Sequence, residues 1–260
     1  MSEPFNRLIQ IMSDLRNPDS GCPWDLVQTH KSLKGALIEE AYELLDALDL
    51  EGEKEIIEEL GDLLLQVVFH AQIGSDSGTF SITDIIDGLN AKLIRRHPHV
   101  FAQNSANTTE EAIGQWEKMK AAERLEKGDQ EKSMLAGIST AMPALAYAYA
   151  IIARSRRAGF DWGKEEDAYL KVLEEIDEYA KADSALRKEE EFGDILLSLV
   201  GVAYQRGIDP EQALRSANSR FFSRFSSIET YTREQNIKFA ELTTEQQLVF
   251  WEQAKDFENK

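Results

Sequence analysis

The feature that most constrains this chain is an internal repeat. Trp24 is matched by Trp162, the acidic group Glu39, Glu40 and Glu43 by Glu174, Glu175 and Glu178, and the pair Glu59 and Asp62 by Glu191 and Asp194. Asn90 and Lys92 then match Asn218 and Arg220, Arg96 matches Arg224, and Trp116 matches Trp251. The separations are 138, 135, 132, 128, 128 and 135 residues, so the order holds while the loops change length. Six ordered matches point to one duplicated domain. The 260 residues suffice for two cores, each in the ordinary size range for a domain. The expected spans are 1–127 for the first copy, a polar junction over 128–134, and 135–260 for the second.

Each copy reads as helical. Leu37, Ile38, Ala41, Leu44, Leu45 and Leu48 fall on one arc of a helix, and Gly52 stops it before a second helix begins near Glu53. The second arm of this αα-hairpin is apolar on several faces over 56–71 and belongs in the middle of a bundle. A Gly/Ser/Asp loop is expected over 74–78, followed by a helix from Ser81 and Asp84 towards Arg96. It stops at His97, because the residue before Pro98 disfavours the α conformation. Almost nothing alternates with period two, so the fold class is all-α: two tandem helical bundles, each built around an acidic hairpin.

Charge and cysteine narrow the function classes. The net charge of -18 repels a phosphate backbone over most of the surface, which argues against nucleic acid as a partner. It leaves small polyphosphates open, because a nearby cation outweighs a screened distant field. Cys22 is the single cysteine, so there is no disulfide framework within the chain. No signal-like start and no apolar run of membrane-spanning length is evident, and the expected setting is the cytoplasm, away from membrane.

The acids carry the chemistry. Within each hairpin, Glu40 and Glu43, or Glu175 and Glu178, lie three apart on one helix face, as do Glu59 and Asp62, or Glu191 and Asp194. Glu43 stands about 13 Å of helix before Gly52 and Glu59 about 10 Å after it, so an antiparallel hairpin brings the pairs face to face. Four carboxylates at close range raise one another's pKa unless a cation intervenes. Oxygen-only ligands favour Mg²⁺, with Mn²⁺ as the alternative, and Mg²⁺ commonly shares its coordination with substrate phosphates. The competing reading is a solvated acidic face, and Glu39 and Glu43 do point away from the centre of the apolar arc. Asp62 argues against it, since the following turns on its side carry Leu65, Gln66 and Phe69. Gly61 and Gly193 beside the acids cost the helices about 1 kcal/mol each relative to Ala, which a nearby ligand or helix would explain.

Lys92 and Arg96, like Arg220 and Arg224, lie four apart and can reach one anion from one helix face. Asn90 and Asn218 can hold a ribose or phosphate oxygen, and Trp116 and Trp251 can stack on a base or serve as core. His30, His70, His97 and His99 form no spacing expected of a metal site.

These residues resemble the MazG family of all-α nucleoside triphosphate pyrophosphohydrolases over nearly the whole chain. The resemblance is carried by the run from Cys22 to Asp25, by Gln28, Thr29 and His30, by both acidic hairpins, and by the run from Gly159 to Trp162. It implies hydrolysis of an NTP or dNTP to the monophosphate and pyrophosphate, broad base tolerance, a house-cleaning role and a homodimer. Glu175, Glu178, Glu191 and Asp194 then look like metal ligands, and Lys171, Arg220 and Arg224 like the triphosphate clamp, with Arg187 and Lys188 added to it. Asn218 looks like a further substrate contact and Trp251 like the base contact. Glu174 and Glu175 look catalytic, Glu174 orienting the attacking water. Glu40, Glu43, Glu59 and Asp62 form a second candidate metal site in the first half. Ala36 stands at the position of Lys171, and Glu55 and Ile56 at those of Arg187 and Lys188, so catalysis is expected in the second half. Two alternatives stay open: a narrower dUTP, dCTP or phosphoribosyl-ATP pyrophosphohydrolase, and a non-enzymatic helical dimerisation or adaptor protein. No regulatory protein partner is named by the sequence.

Overall fold

A computed structural model describes residues 3–50, 52–102, 106, 108–126, 133–160, 163 and 165–258. Trp162, a landmark of the repeat, and residues 128–132 of the expected junction lie outside them. The described residues are helical with no strand among them, and the chain divides into two compact units, Met1–Gln130 and Glu131–Lys260.

The first unit runs through α1 (Glu3–Leu15), α2 (Pro23–Val27), α3 (Lys34–Asp49), α4 (Glu53–Asp76), α5 (Ile82–Arg96), α6 (Pro98–Phe101) and α7 (Thr109–Glu126). Gly52 takes an extended backbone ahead of α4, and Glu53 and Glu55 place negative charge on the helix's positive end. The α5 start follows from a capping box, in which the Ser81 hydroxyl accepts from the Asp84 amide and the Asp84 carboxylate accepts from the Ser81 amide. Helices α3 and α4 pack along one another, and α4 also meets α1 and α5. Its core is Met12, Leu33, Val68 and Phe69, with Leu8, Leu15, Leu65 and Ile73 against it.

Two expectations need correction here. The loop over 74–78 begins later, because α4 runs through Gly74 to Asp76. Gly74 is buried, and a Cβ built on it would meet the Phe80 ring at 2.7 Å, so this glycine admits a ring against the helix. The turn itself falls at Gly78, with φ +67°. The apolar arc of α3 is also less covered than its periodicity implies: Ile38 is 54% exposed and Leu48 49%. One neighbouring helix, α4, cannot cover an arc that wide.

The second unit runs through α8 (Ala144–Arg157), α9 (Glu165–Lys181), α10 (Ala185–Gln205), α11 (Pro210–Glu234), a 3-10 turn at Phe239–Glu241, and α12 (Thr244–Glu258). The hairpin between α9 and α10 turns just before Ser184, whose hydroxyl accepts from the Arg187 amide and caps α10. Asp209 does the same for α11, with Pro210 in the first turn. Helix α10 packs along α9 and against α8, whereas α11 packs on α12 and α8. Tyr149 and Tyr204, with centroids 5.3 Å apart, join α8 to α10.

Candidate active site

The second-unit hairpin gathers its acids as the helical spacing requires. Glu175 and Glu178 on α9 and Glu191 on α10 each offer a carboxylate oxygen, and these oxygens all lie within 4.8 Å of one another. Glu175 is 5% exposed and Glu191 3%, which rules out a solvated acidic face for these two. Burial pushes the Glu191 carboxyl above its usual range; Arg187 opposes the shift, while Glu178 and Glu175 add to it.

Two cations compensate the buried pair. Lys171 Nζ lies 2.7 Å from Glu175 Oε1 and 3.1 Å from Glu174 Oε1. Those contacts, Glu175 foremost, hold the Lys171 ammonium above its ordinary pKa. Arg187 Nη2 lies 2.5 Å from Glu191 Oε1, and Nη1 lies 3.2 Å from Glu190 Oε2. Lys188, next along α10, is exposed.

A cavity of about 520 Å³ opens beside the cluster, walled by Asp167, Leu170, Lys171, Glu174, Asp194 and Ser198 among others. Asp194 thus faces the cavity with Glu174 and Glu175, outside the group of three oxygens. Sequence reading passed over Ser198 and Leu197 in this wall, although they follow Asp194 by four and three residues on the same helix face.

The remaining residues picked from the sequence stand on other helices. Asn218 and Arg220 are exposed on α11. The Arg224 guanidinium lies 5.7 Å over the Trp251 ring, and Phe221 packs 4.9 Å from the same ring. Trp251 is half-buried, so one part of it serves packing and another meets solvent.

The first-unit hairpin repeats the carboxylates without the cations. Oxygens of Glu40, Glu43 and Glu59 lie within 4.8 Å of one another. Burial raises the pKa of Glu40, with Asp62, Glu43, Glu59 and Glu39 adding to it. Burial likewise raises Glu59, with Glu43, Asp62 and Glu58 adding. Among the described residues, the charges acting on the two are carboxylates. Arg96 has a protein partner of its own: its Nη2 lies 2.6 Å from Glu123 Oε2, and Arg95 Nη2 lies 2.7 Å from Glu123 Oε1. Its guanidinium also sits 5.5 Å over Trp116. Glu123 was not singled out in the sequence, although it lies seven residues beyond Trp116 and so on the same face of α7. His30 and His70 meet at 2.7 Å between their Nδ1 atoms, a contact between a loop and α4 that sequence spacing does not reveal.

A family model for the MazG nucleotide pyrophosphohydrolase domain matches residues 28–101, the stretch that contains α3 and α4. Over 251 residues the chain is 44% identical to a Thermotoga maritima protein named nucleoside triphosphate pyrophosphohydrolase/pyrophosphatase MazG, covering 96% of this chain and 95% of that one. The chain belongs to the MazG family. Another member, the nucleoside triphosphate pyrophosphohydrolase of Escherichia coli K12, is 40% identical over 257 residues, with 96% and 97% of the two chains covered. The uncharacterised YabN protein of Bacillus subtilis is 42% identical over 260 residues, 98% of this chain but 52% of that protein. The MazG-family match and the paired acidic hairpins therefore agree on an all-α chain with carboxylate clusters suited to a hard divalent cation.

Proposed function

We propose that this chain hydrolyses nucleoside triphosphates, NTP or dNTP with broad base tolerance, to the nucleoside monophosphate and pyrophosphate. The reaction depends on Mg²⁺, for which Mn²⁺ substitutes, and takes place at the second-unit hairpin in a cytoplasmic house-cleaning role. The observation that carries this reading is the cluster of Glu175, Glu178 and Glu191 beside a cavity of about 520 Å³, with Lys171 in the cavity wall and Arg187 paired to Glu191. Buried carboxylates facing one another call for a cation, and two basic side chains beside them suit a polyanion.

Glu175, Glu178 and Glu191 would hold the ion, with Asp194 as the fourth ligand from the cavity wall. When bound, a divalent ion of this kind lowers the pKa of water and neutralises charge on phosphoryl oxygens. Glu174 orients the attacking water and accepts its proton, and Glu175 supports it from the next position on α9. The water oxygen bonds to one phosphorus of the α–β anhydride as the P–O bond to the bridging oxygen breaks, and the group on the other side of that bond, pyrophosphate or monophosphate, leaves with the electron pair. Lys171, Arg187, Lys188, Arg220 and Arg224 oppose the triphosphate charge, Asn218 binds a substrate oxygen, and Trp251 stacks on the base.

The chain works as a homodimer in this reading. Leu60 and Leu64 on α4, and Leu173, Phe192 and Leu196 on α9 and α10, are 39–62% exposed in the single chain. That apolar surface is what a second copy would cover to complete each bundle. A non-enzymatic adaptor would not need two carboxylates buried against each other.

The test is pyrophosphate release from a panel of NTPs, dNTPs and damaged nucleotides with Mg²⁺ present. Turnover of several bases supports the reading. Turnover of a single base would leave a narrower pyrophosphohydrolase, and turnover of none would remove the enzymatic reading.

A further inference from the structure

We propose that Lys171 and Arg187 are exchangeable counter-ions, which hold Glu175 and Glu191 in the metal-free cluster and turn to the substrate phosphates once a divalent ion takes their place. The proposal rests on the reading of the α9–α10 hairpin as the metal and triphosphate site.

Three observations carry it. The two cations pair with Glu175 and Glu191, the two buried members of the cluster, each from four residues earlier on its helix. Both cationic side chains are about half exposed, 47% and 59%, so their heads have room to turn into solvent or towards a ligand. The first unit has the same carboxylates but carries Ala36 and Glu55 at the matching positions. The halves therefore differ at the counter-ions and agree at the ligands.

A cation on a carboxylate oxygen competes with a divalent ion for that oxygen. In the second unit a free ion must displace Lys171 and Arg187 from the buried carboxylates, leaving them only the exposed Glu174 and Glu190 as partners. A triphosphate supplies more highly charged partners in their place. Metal and triphosphate thus favour each other's binding, and the coupling is the same whichever binds first. In the first unit no cation among the described residues pairs with the cluster, so a divalent ion there binds tightly alone and gains nothing from triphosphate.

Mn²⁺ titrations of the full-length chain, with free ion counted by electron paramagnetic resonance, test this. The parent is Glu59→Gln, in which the first-unit cluster has lost a ligand. Adding Lys171→Met is expected to tighten Mn²⁺ binding about tenfold, on the order of removing one charge at contact distance near a surface. A non-hydrolysable nucleoside triphosphate, corrected for its own Mn²⁺ complex in a protein-free titration, should tighten Mn²⁺ binding in the parent and much less in the Lys171→Met variant. The converse variant, Ala36→Lys in a Glu191→Gln background, is expected to weaken Mn²⁺ binding at the first-unit cluster. Unchanged or weaker Mn²⁺ binding in Lys171→Met, or an undiminished triphosphate effect, overturns the proposal. Pyrophosphate release from the wild-type chain is scored alongside. Its absence with the Mn²⁺ shifts intact would remove the hydrolase reading and leave the exchange standing, whereas release without the shifts would do the reverse.

Discussion

Glu123 Oε2 accepts a hydrogen bond from Arg96 Nη2 at 2.6 Å while Glu123 Oε1 accepts one from Arg96 Nε at 3.0 Å, a two-pronged pair with the carboxylate buried. Arg95 Nε adds a third bond at 2.8 Å. These donors, Arg96 first, hold the Glu123 carboxyl down to about 2. The carboxyl is thus easier to ionise in the folded chain than in the unfolded one. Its stabilisation is fully present above about pH 4.5 and is lost as the pH falls towards 2. Glu123→Gln should destabilise the first unit by about 3 kcal/mol at neutral pH, the lower end for breaking one side of a buried pair, because Arg96 keeps some access to water. The Tm difference between wild type and variant should be constant above about pH 5 and shrink towards pH 2. A difference independent of pH would mean that the charge of Glu123 does not matter. Glu40 and Glu59, whose pKa values are raised, act in the opposite sense, and the subtraction removes them.

Gly74→Ala sets two effects against each other. Alanine gains about 1 kcal/mol in a helix interior. Its Cβ would stand 2.7 Å from the Phe80 ring, and forcing a packed ring aside costs about 1–3 kcal/mol. Packing wins, and the variant should melt lower than wild type. Gly193→Ala is the control, since nothing lies within 4 Å of its Cβ in the single chain and it should be neutral or stabilising there. If Gly193→Ala instead weakens a dimer in sedimentation experiments, a second copy approaches that glycine.

The fold was largely legible because helical periodicity and capping are local. Ser81 and Asp84 announce the start of α5, and Gly52 separates the hairpin arms in the sequence as in the structure. Gly74 was misread because its use depends on Phe80, whose ring returns to the helix from beyond the turn at Gly78. The carboxylate clusters were legible because i to i+3 spacing and a hairpin suffice to bring them together. The pairing of Arg95 and Arg96 with Glu123, 28 and 27 residues away, was not, since it depends on how α7 returns against α5. The width of the apolar arc on α3 was legible too, but a periodicity states that a face is apolar and not which chain covers it.

Chelation should separate chemistry from folding. Activity is expected to require Mg²⁺ or Mn²⁺ and to vanish in EDTA, because the donors gathered on α9 and α10 are all oxygens. Helicity by circular dichroism should survive, since Val172, Ile152 and Val200 remain buried and Lys171 and Arg187 still neutralise the cluster. Loss of helix on chelation would make the ion structural, and activity persisting after exhaustive chelation would remove the metal from the reaction.

Trp251→Ala should raise KM for nucleotides by about 1–3 kcal/mol of binding, the scale of stacking between a base and an aromatic side chain, with kcat changed less. Nucleotide should quench tryptophan fluorescence in wild type and less so in the variant. Trp251 also packs on Phe221 and lies under Arg224, so Trp251→Phe is the companion that keeps a ring there. If Trp251→Ala lowers Tm or splits a dimer while KM holds, its role is packing alone.

The two hairpins should respond unequally to loss of one acid. Both gather three carboxylate oxygens within 4.8 Å, yet only the second sets Lys171 and Arg187 among them; the first has Ala36 and Glu55 at those positions. A triphosphate carrying its ion still has negative charge to be met, and Lys171 and Arg187 stand beside the second cluster to meet it. Glu191→Gln keeps the shape of the side chain and removes its charge, and it should lower kcat at least about a hundredfold, since a ligand to a catalytic ion contributes several kcal/mol of charge stabilisation. Glu59→Gln should leave most turnover in place. It also relieves Glu43 and Asp62 of a like charge, so any change in Tm should be small or upward in the absence of metal. Steady-state pyrophosphate release from both variants, with helicity and oligomeric state checked, decides between the halves. An inactive Glu59→Gln beside a normal Glu191→Gln would move the active site to the first hairpin, the stretch that the MazG family model matches.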